Sequence, residues 1–400
     1  MSGTYDIVVV GGGMVGATLA ALLGGQGCRV AVVEGSEPRD WSPQDPPDLR
    51  VSSVNAASRQ VFKACDAWAG MVDRRAAPFR RLRAWDASGR GETTFHAADA
   101  GAESFGHFVE NRIIQLALWE HLAVLDNVHR YCPAEPASLE TDAEGAVLRL
   151  RDGRSLGAAL LVGADGARSA IRRMAGIDMD FHEYGQHALI INAVTRLPQQ
   201  DITWQCFTPN GPRAFLPLAG HHASLVWYDS PNTVRRLLAL PDESLVDAVH
   251  DAFPAELGGI EAIIGRGSFP IRRGHARRYH GNRVALVGDA AHVIHPLAGQ
   301  GLNLGIQDAR ELAARIQRAV TGGRDVGAVS VLAAYEARRR PANLAMMLAM
   351  DAFHRVFTAA LPGVRHAGAL GLGLANQLAV AKRLVMRHAM GLGPVSGAGR

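Results

Sequence analysis

The stretch RVALVGDAAHVIHPLAGQGLNLGIQD, residues 283–308, decides how this chain is organised. Its first part, residues 284–287, predicts a buried strand that breaks at Gly288, and its last part predicts an amphipathic helix. A loop between a strand and a helix offers free backbone N–H groups and a positive helix end to a ligand. Glycines let that ligand approach the backbone, and Pro296 stiffens the loop. The stretch therefore predicts a binding site.

The start of the chain indicates what the ligand is. Residues 5–10, YDIVVV, read as a central parallel strand, and Gly11, Gly13 and Gly16 then form G-x-G-x-x-G at the start of a predicted helix. A second predicted strand ends at Glu34. This context is typical of a dinucleotide site, in which the glycines admit a pyrophosphate at the helix N-terminus. The acid accepts hydrogen bonds from the ribose hydroxyls.

Composition excludes several classes of protein. The 400 residues, with ordinary apolar and charged fractions, indicate a soluble globular protein of two or three domains. The net charge is +4 and no basic run with interleaved aromatic residues occurs, so we expect no binding to nucleic acid. The four cysteines are isolated, and no leader or long apolar run is present. We therefore expect free thiols, no metal and a cytoplasmic location.

The middle of the sequence changes character. Residues 50–68 predict a helix, and residues 160–169, LLVGADGARS, predict a strand that ends just before Asp165. From residue 181 to 270 the strand-like runs alternate apolar and polar residues, which favours an antiparallel sheet covered on one face. Aromatic residues concentrate in this part, and we expect some of them to line a substrate pocket. The candidates are Trp204, Phe215, Pro217 and Trp227.

Three spaced motifs together resemble the class A flavoprotein monooxygenases: G-x-G-x-x-G near the start, G-A-D-G at residues 163–166, and the late G-D-A-A-H-x-x-x-P-x-x-G-Q-G-x-N. Within that superfamily the sequence is similar to the ubiquinone-biosynthesis hydroxylases, on the segments VSSVNAASRQVF, VENRIIQLALWE and HPLAGQGLNLG. The segment ITWQCFTPNGPRAFLPL resembles the demethoxyubiquinol hydroxylase branch, which acts on 2-polyprenyl-3-methyl-6-methoxy-1,4-benzoquinol. Relatives that act at other ring carbons, or on other aromatic substrates, share most of these motifs.

The resemblance implies the cofactor, the substrates and the chemistry. FAD is the expected cofactor, a polyprenyl quinol and O₂ are the expected substrates, and NAD(P)H is a transient reductant. Reduced flavin forms a C4a-hydroperoxide that delivers a hydroxyl group to the ring. Two alternatives from other classes stay open: a flavin halogenase, epoxidase or reductase on the same fold, and a non-catalytic assembly subunit that keeps FAD for structure.

The resemblance also implies which residues form the site. Asp289 is expected at the ribityl chain, and residues 296–303 over the isoalloxazine ring. Pro296 and His295 are the catalytic candidates, although a histidine in a loop is more often a packed or hydrogen-bonding residue. Arg50, Arg112 and Gln115 are expected at the flavin, with solvent exposure as the alternative. The full cofactor set is Gly11, Gly13, Met14, Gly16, Glu34, Arg50, Arg112, Gln115, Asp165, Asp289, Pro296, Gly299, Gly301, Leu302 and Asn303.

The patterns and the resemblance together predict a mixed α/β fold. A Rossmann-type FAD-binding domain is expected to contain residues 1–75, 105–178 and 272–340. An inserted antiparallel-sheet substrate domain is expected at residues 76–104 and 179–271, and a C-terminal helical region at residues 341–400.

The C-terminal region is predicted to meet a membrane surface or other ubiquinone-biosynthesis proteins. Residues 341–400 hold six cations and the single acid Asp351, and residues 378–390, LAVAKRLVMRHAM, combine an apolar stripe with three of those cations. A long polyprenyl tail is costly to bring into water, so the enzyme has to reach the bilayer or a partner that shields the tail. The alternative is that this helix packs on the flavin domain.

Overall fold

The apolar run at the start of the sequence lies at the centre of a mainly parallel sheet. β1 (Thr4–Val10) pairs with β11 (Ser155–Gly163) on one side and with β2 (Val30–Val33) on the other, both in parallel. The computed structural model describes residues 4–89, 91–254, 258–296, 299–358, 383, 386–387 and 390–392. The remaining strands of this sheet are β8 (Val128–Tyr131), β9 (Pro136–Thr141), β10 (Ala146–Leu150), β17 (His280–Gly281) and β18 (Val284–Leu286).

A second sheet of eight strands is mostly antiparallel, as the alternating pattern predicts. Its order is β19–β16–β12–β15–β14–β13–β5–β6, and only the β5–β13 pair is parallel among the described residues. The strands are β5 (Arg81–Asp86), β6 (Glu92–His96), β12 (Met179–Thr195), β13 (Ile202–Thr208), β14 (Gly211–Leu218), β15 (His222–Asp229), β16 (Ile260–Ala276) and β19 (His292–Val293).

A small third sheet corrects one prediction. Residues 50–68 do not form a single helix, because they begin with β3 (Val51–Asn55), which pairs with β7 (Gly106–Glu110). β4 (Ala76–Phe79) pairs with the other edge of β7. Pairing with a distant strand overrides the local helical pattern here, and only α2 (Ala56–Ala64) of the predicted helix forms before a break.

The helices cover both large sheets. Two of them, α1 (Met14–Gly25) and α8 (Gln300–Thr321), pack on each other beside β1. Another pair, α6 (Pro231–Leu238) and α7 (Asp242–Ala252), covers one face of the antiparallel sheet. The others are α3 (Trp68–Arg75), α4 (Asn111–Ala123), α5 (Ala170–Met174) and the 30-residue α9 (Val329–Thr358).

The sheets agree with the predicted division into a nucleotide part and a sheet part, while the domain boundaries themselves stay a prediction. Of the predicted C-terminal helical region 341–400, residues 341–358 form the end of α9, and most of residues 359–400 lie outside the described residues. Met386 and Met390, which are described, are 2% and 1% exposed and pack with Phe79, Phe105 and Phe108. Met386 therefore contributes to the protein core rather than to an exposed apolar stripe.

Candidate active site

The glycine loop between β1 and α1 leaves space only on one side. A Cβ atom at Gly11 would lie 2.4 Å from the carbonyl oxygen of Ala164, and a Cβ atom at Gly16 would lie 1.9 Å from the carbonyl oxygen of Gly11. A Cβ atom at Gly13 would meet nothing within 4 Å. The loop is therefore packed against the protein at two glycines and open at the third, as a pyrophosphate requires.

Hydrogen bonds to both the N–H and the carbonyl oxygen of Gly12 hold its backbone in place. Its N–H donates to Glu34 Oε2 at 2.6 Å, and its carbonyl oxygen accepts from Trp119 Nε1 at 2.7 Å and from Gln115 Nε2 at 3.1 Å. Gln115 therefore orients the loop through its amide. Trp119 is not among the predicted site residues, although it follows Gln115 by four residues and so lies on the same face of α4.

The N-termini of two helices meet at this loop. A Cβ atom at Gly305 would lie 2.7 Å from Val15 Cγ2, so α8 approaches α1 more closely than an added side chain would allow. Gly288 also lies against Val15, and Gly299 begins α8 in the left-handed conformation, with φ of 62°. Both positive helix ends, at Met14 and Gly299, are thus directed to one cleft. The cleft also holds the half-buried residues Pro296, Gly301 and Leu302.

Asp289 lies at the floor of this cleft. Its side chain reaches solvent, yet protein surrounds it closely enough that burial raises the pKa of the carboxyl group. His292, Arg50 and Arg272 oppose this rise through their positive charge. The guanidinium of Arg50 is exposed and lies 5.8 Å from the ring centroid of Phe269. The structure thus brings Arg50 and Asp289, which are far apart in sequence, to the same cleft.

A buried network holds the turn that carries Asp289. Asp308 accepts hydrogen bonds from the N–H of Gly288 at 3.2 Å, from Arg339 at 2.7 Å and from Asn343 at 2.9 Å, and pairs with His292 at 2.5 Å. Burial would raise the pKa of Asp308, but the positive partners outweigh burial and lower it. The network was not foreseen, because its members come from separate elements: α8, α9, β19 and the turn after β18.

The side chain of Asn303 bonds within the protein. Its side chain donates to the carbonyl oxygen of Ser53 at 2.7 Å and accepts from the N–H of Asn55 at 3.0 Å. These bonds attach the first turn of α8 to β3. The amide group of Asn303 is therefore used inside the protein, and only its backbone remains for a cofactor.

Arg112 and Asp165 are also paired within the protein. Arg112 forms ion pairs with Asp45 at 3.1 Å and with Asp48 at 3.0 Å, so it fixes the proline-rich loop before β3. Asp165 accepts hydrogen bonds from the hydroxyl of Ser169 at 2.5 Å and from the N–H of Ala170 at 2.6 Å, and so caps α5. Their contacts with a cofactor stay a prediction.

His295 is buried in an aromatic cluster. It is 1% exposed and stacks on Tyr228 with ring centroids 5.6 Å apart, while Tyr184 and His354 contact it at 4.9 and 4.7 Å. Burial and the neighbouring His354 lower the pKa of His295 to about 3, so its imidazole is neutral and a weak base. The packing interpretation of His295 accounts for this geometry better than the catalytic one.

The four residues predicted to bind substrate lie on the face of the antiparallel sheet that α6 and α7 cover. Trp204, Phe215 and Trp227 are 4–7% exposed and pack in the core between the sheet and helices α6 and α7. Pro217 is also buried, and it lies on the same face because it follows Phe215 by two residues in β14. The sequence showed the alternation but not which face the helices cover, so this prediction was wrong.

The opposite face is mainly apolar and only partly covered, by α9 at Phe207. Ile190, Val226, Ala214 and Gln205 are neighbours in register across β12, β15, β14 and β13, and all four are half-buried. We call them the inner row. On the same face Asn192 donates to the carbonyl oxygen of Asp48 at 2.7 Å, before β3. The inner row therefore faces the cleft.

The cleft fits FAD. The open space at Gly13 and the helix end behind it suit the pyrophosphate, and the half-buried Glu34 lies where the ribose hydroxyls would be. Asp289 offers a carboxylate at the floor. This geometry agrees with the match of residues 4–349 to a family model described as FAD binding domain. The chain belongs to this family.

Its relatives narrow the assignment to the FAD-dependent monooxygenases. The protein is 39% identical over 387 residues to 3-demethoxyubiquinol 3-hydroxylase of Escherichia coli K12, covering 97% of this sequence and 98% of the relative. It is 37% identical to the ubiquinone hydroxylase UbiL of Rhodospirillum rubrum, covering 97% and 91%. This flavoenzyme is therefore a member of the ubiquinone-biosynthesis hydroxylases.

A solved structure shows the same fold. The flavoenzyme superposes on PqsL, a probable FAD-dependent monooxygenase from Pseudomonas aeruginosa, with a TM-score of 0.76 and 25% identity, covering 92% of this protein and 100% of that one. Within the described residues, no group of His, Cys, Asp or Glu has a metal-binding arrangement, and no helix is long and apolar enough to span a bilayer.

Proposed function

We propose that this flavoenzyme hydroxylates the ring of a polyprenyl benzoquinol at the demethoxyubiquinol step of ubiquinone biosynthesis. The observation that carries the proposal is its 39% identity, over 97% of its sequence, to a 3-demethoxyubiquinol 3-hydroxylase. The second candidate is hydroxylation at another ring carbon, because a relative of 37% identity is named only as a ubiquinone hydroxylase, with no position given.

The enzyme's own residues would hold FAD along one line. The N–H groups at Gly13 and Met14 would bind the pyrophosphate, Glu34 the ribose, and Asp289 the ribityl chain. The backbone of Gly301, Leu302 and Asn303, at the positive end of α8, would stabilise negative charge on the reduced ring. Bound FAD supplies the activation of O₂, which amino-acid side chains cannot perform.

The inner row is the proposed binding surface for the quinol ring. Its apolar side chains are half-buried without the substrate, so a planar ring placed between Val226 and the loop at Pro296 would remove them from water. Gln205 adds an amide that can orient a ring oxygen. A quinol hydroxyl already activates the ring, so a buried neutral His295 is no obstacle to hydroxylation.

Quinone analysis of a strain that lacks the gene tests the substrate. We expect demethoxyubiquinone to accumulate, and complementation under ¹⁸O₂ to place one labelled oxygen in ubiquinone. Accumulation of an earlier intermediate would assign the enzyme to another ring carbon. Absence of the label would exclude oxygen transfer from O₂ altogether.

Replacement of Asp289 tests the cofactor site. We expect Asp289→Ala to fold but to purify with little FAD, because the ribityl chain loses its acceptor at the floor of the cleft. Asp325→Ala, which removes a carboxylate that pairs with Arg283 at 2.6 Å far from the cleft, is the matched control and should stay yellow. A fully yellow and active Asp289→Ala enzyme contradicts the site.

Access to a membrane-embedded substrate is the remaining part of the proposal. NAD(P)H is the typical reductant of this family. The substrate's polyprenyl tail costs roughly 0.8 kcal/mol per CH₂ group on entering water, so the enzyme has to reach the membrane in which the tail lies. We expect the enzyme to bind anionic vesicles through Lys382, Arg383 and Arg387.

Vesicle flotation decides between a membrane surface and a protein partner. The triple change of Lys382, Arg383 and Arg387 to Glu should abolish flotation with anionic vesicles. A control that changes the exposed Arg310, Arg318 and Arg324 to Glu makes the same change in net charge elsewhere and should float. Equal flotation of both variants argues for a protein partner that presents the tail.

A further inference from the structure

A buried carboxylate on α9 is linked through Tyr184 to the loop that carries Pro296. Asp351 is 4% exposed and accepts a hydrogen bond from the hydroxyl of Tyr184, on β12. It also pairs with Arg273 of β16 at 3.2 Å and with Arg355 of α9 at 3.3 Å. A buried carboxylate with three positive or donating partners holds each of them in one orientation, because an unpaired buried charge is costly.

The Tyr184 ring transmits this arrangement to the loop. Its plane lies nearly perpendicular to those of His295 and His354, with centroids 4.9 and 5.0 Å away, and the two histidines contact each other at 4.7 Å. Tyr228 stacks on the other side of His295. The residue before Pro296 is thus enclosed by rings from two strands and from α9.

The same part of α9 also contacts the substrate sheet. Phe353 and Phe357 pack on Phe207 of β13, with ring centroids 5.1 and 4.4 Å apart. Phe207 lies on the face of the inner row, because it is two residues from Gln205 in the same strand. Residues 351–357 of α9, about two turns, therefore touch both the sheet proposed to bind the quinol and the loop proposed to cover the flavin.

We propose that Asp351 is a positioning residue of the hydroxylase. Through Tyr184 and His354 it fixes the ring of His295, and thereby sets where Pro296 lies relative to the quinol. The inference rests on the proposed function for the place of Pro296 at the flavin. Asp351 itself touches neither the flavin nor the ring.

The consequence concerns how the electrons of the reduced flavin are used. In the productive reaction the reduced flavin and O₂ convert a ring C–H to C–OH, and the second oxygen atom leaves as water. In the unproductive one the same two electrons and two protons reduce O₂ to hydrogen peroxide. Misplacement of a reacting group by about 1 Å can cost up to roughly a hundredfold in rate, so a shifted loop favours peroxide.

Single-turnover oxidation tests the proposal without a reductase. Enzyme with chemically reduced FAD is mixed with O₂ and a short-tailed demethoxyquinol, and hydroxylated product and peroxide are measured per bound flavin. We expect Tyr184→Phe, which keeps the ring, and Asp351→Asn, which keeps the shape, to lower product yield roughly fivefold and to raise peroxide. FAD affinity should change by less than about threefold.

Two matched controls lie far from the cluster. Tyr5→Phe removes a hydroxyl that bonds to Tyr131 at 2.7 Å, and Asp325→Asn weakens an ion pair with Arg283. Both should keep the wild-type product yield. Wild-type yield per bound flavin in Tyr184→Phe and Asp351→Asn would overturn the proposal, as would an equal loss in the controls.

Failure of the proposed function has a different signature. In that case the wild-type enzyme itself forms no hydroxylated quinol. The visible circular dichroism of bound flavin then decides the role of Asp351, because it depends on the groups around the ring. Altered bands in the two cluster variants but not in the controls support positioning, and unaltered bands in all of them refute it.

Discussion

The two sides of the cleft differ in the groups that line them, since one is lined by backbone and the other by side chains. The flavin side, at the glycine loop and the first turn of α8, presents backbone, and a Cβ atom at Gly16 would lie 1.9 Å from another backbone atom. The sheet side presents side chains, and those of Ile190 and Val226 are only half-buried. Backbone cannot adjust to an added atom, whereas side chains repack. Changes on the flavin side should therefore be all-or-none, and those on the sheet side graded.

The largest effect is expected at the glycine loop. Gly16→Val should lower FAD affinity by roughly a thousandfold, about 4 kcal/mol, because the loop has to move away from α1. Gly13→Ala adds a methyl group to open space, so the apoprotein should keep its thermal midpoint while FAD binds more weakly. Titration with FAD and thermal unfolding of the apoproteins measure both effects. Tight FAD binding by Gly16→Val would break the comparison.

The two faces of the sheet give the next largest effect. Trp227→Ala on the covered face should cost about 3–4 kcal/mol of unfolding free energy, because Trp227 is 6% exposed in a packed core. Val226→Ala on the inner row should cost about 1 kcal/mol but raise the KM for quinol roughly three- to tenfold. Urea unfolding and steady-state kinetics separate the two. A larger KM effect from Trp227→Ala would reverse the assignment of the faces.

Acid should loosen the sheet side first. Burial lowers the pKa of His275 to about 4 and of His295 to about 3. His275 lies on β16, and His295 packs on Tyr184 and Tyr228 of the same sheet. The unfolded protein takes up these protons near pH 6.5, so stability is complete above that pH and falls as the pH drops toward the folded values. At pH 5 the loss is roughly 2 kcal/mol for each histidine.

Hydrogen exchange at pH 7 and pH 5 measures this effect by region. Peptides from β12, β16 and the end of α9 should lose protection before peptides from β1 and α1. His275→Gln should reduce the difference between the two pH values. Uniform loss of protection across both sides would show that the histidines do not control acid stability.

The smallest effect is expected at His295. Its neutral, enclosed ring predicts that His295→Gln lowers kcat by less than roughly tenfold and leaves the pH profile unchanged between pH 6 and 8, whereas loss of a general base costs about 10²–10⁴-fold. Parallel pH–rate profiles of the two enzymes provide the measurement. A hundredfold lower kcat, together with loss of an ionisation from the pH–rate profile, would indicate that His295 accepts a proton in the reaction.

The cofactor half of the site was largely predictable. The predicted strand at residues 5–10, the helix after it and the antiparallel runs are present, and the residues of the glycine motif lie where a dinucleotide would need them. What was wrong or not foreseen depends on distant partners. β3 forms where a helix was predicted, because β7 pairs with it, and the bonds from the Asn303 side chain to β3 were not foreseen.

The sequence by itself determined the fold class, the cofactor family and the glycine loop, because those depend on short-range patterns and on where a Cβ atom is forbidden. Only the tertiary structure decided which face of the sheet meets the cleft. Alternation with a period of two places Val226 and Trp227 on opposite faces, but it does not show which face is buried. That depends on α6 and α7, which cover the face of Trp227. It also decided the position of Asp351, whose partners on β12 and β16 are distant in the sequence and meet it only after the sheet has formed.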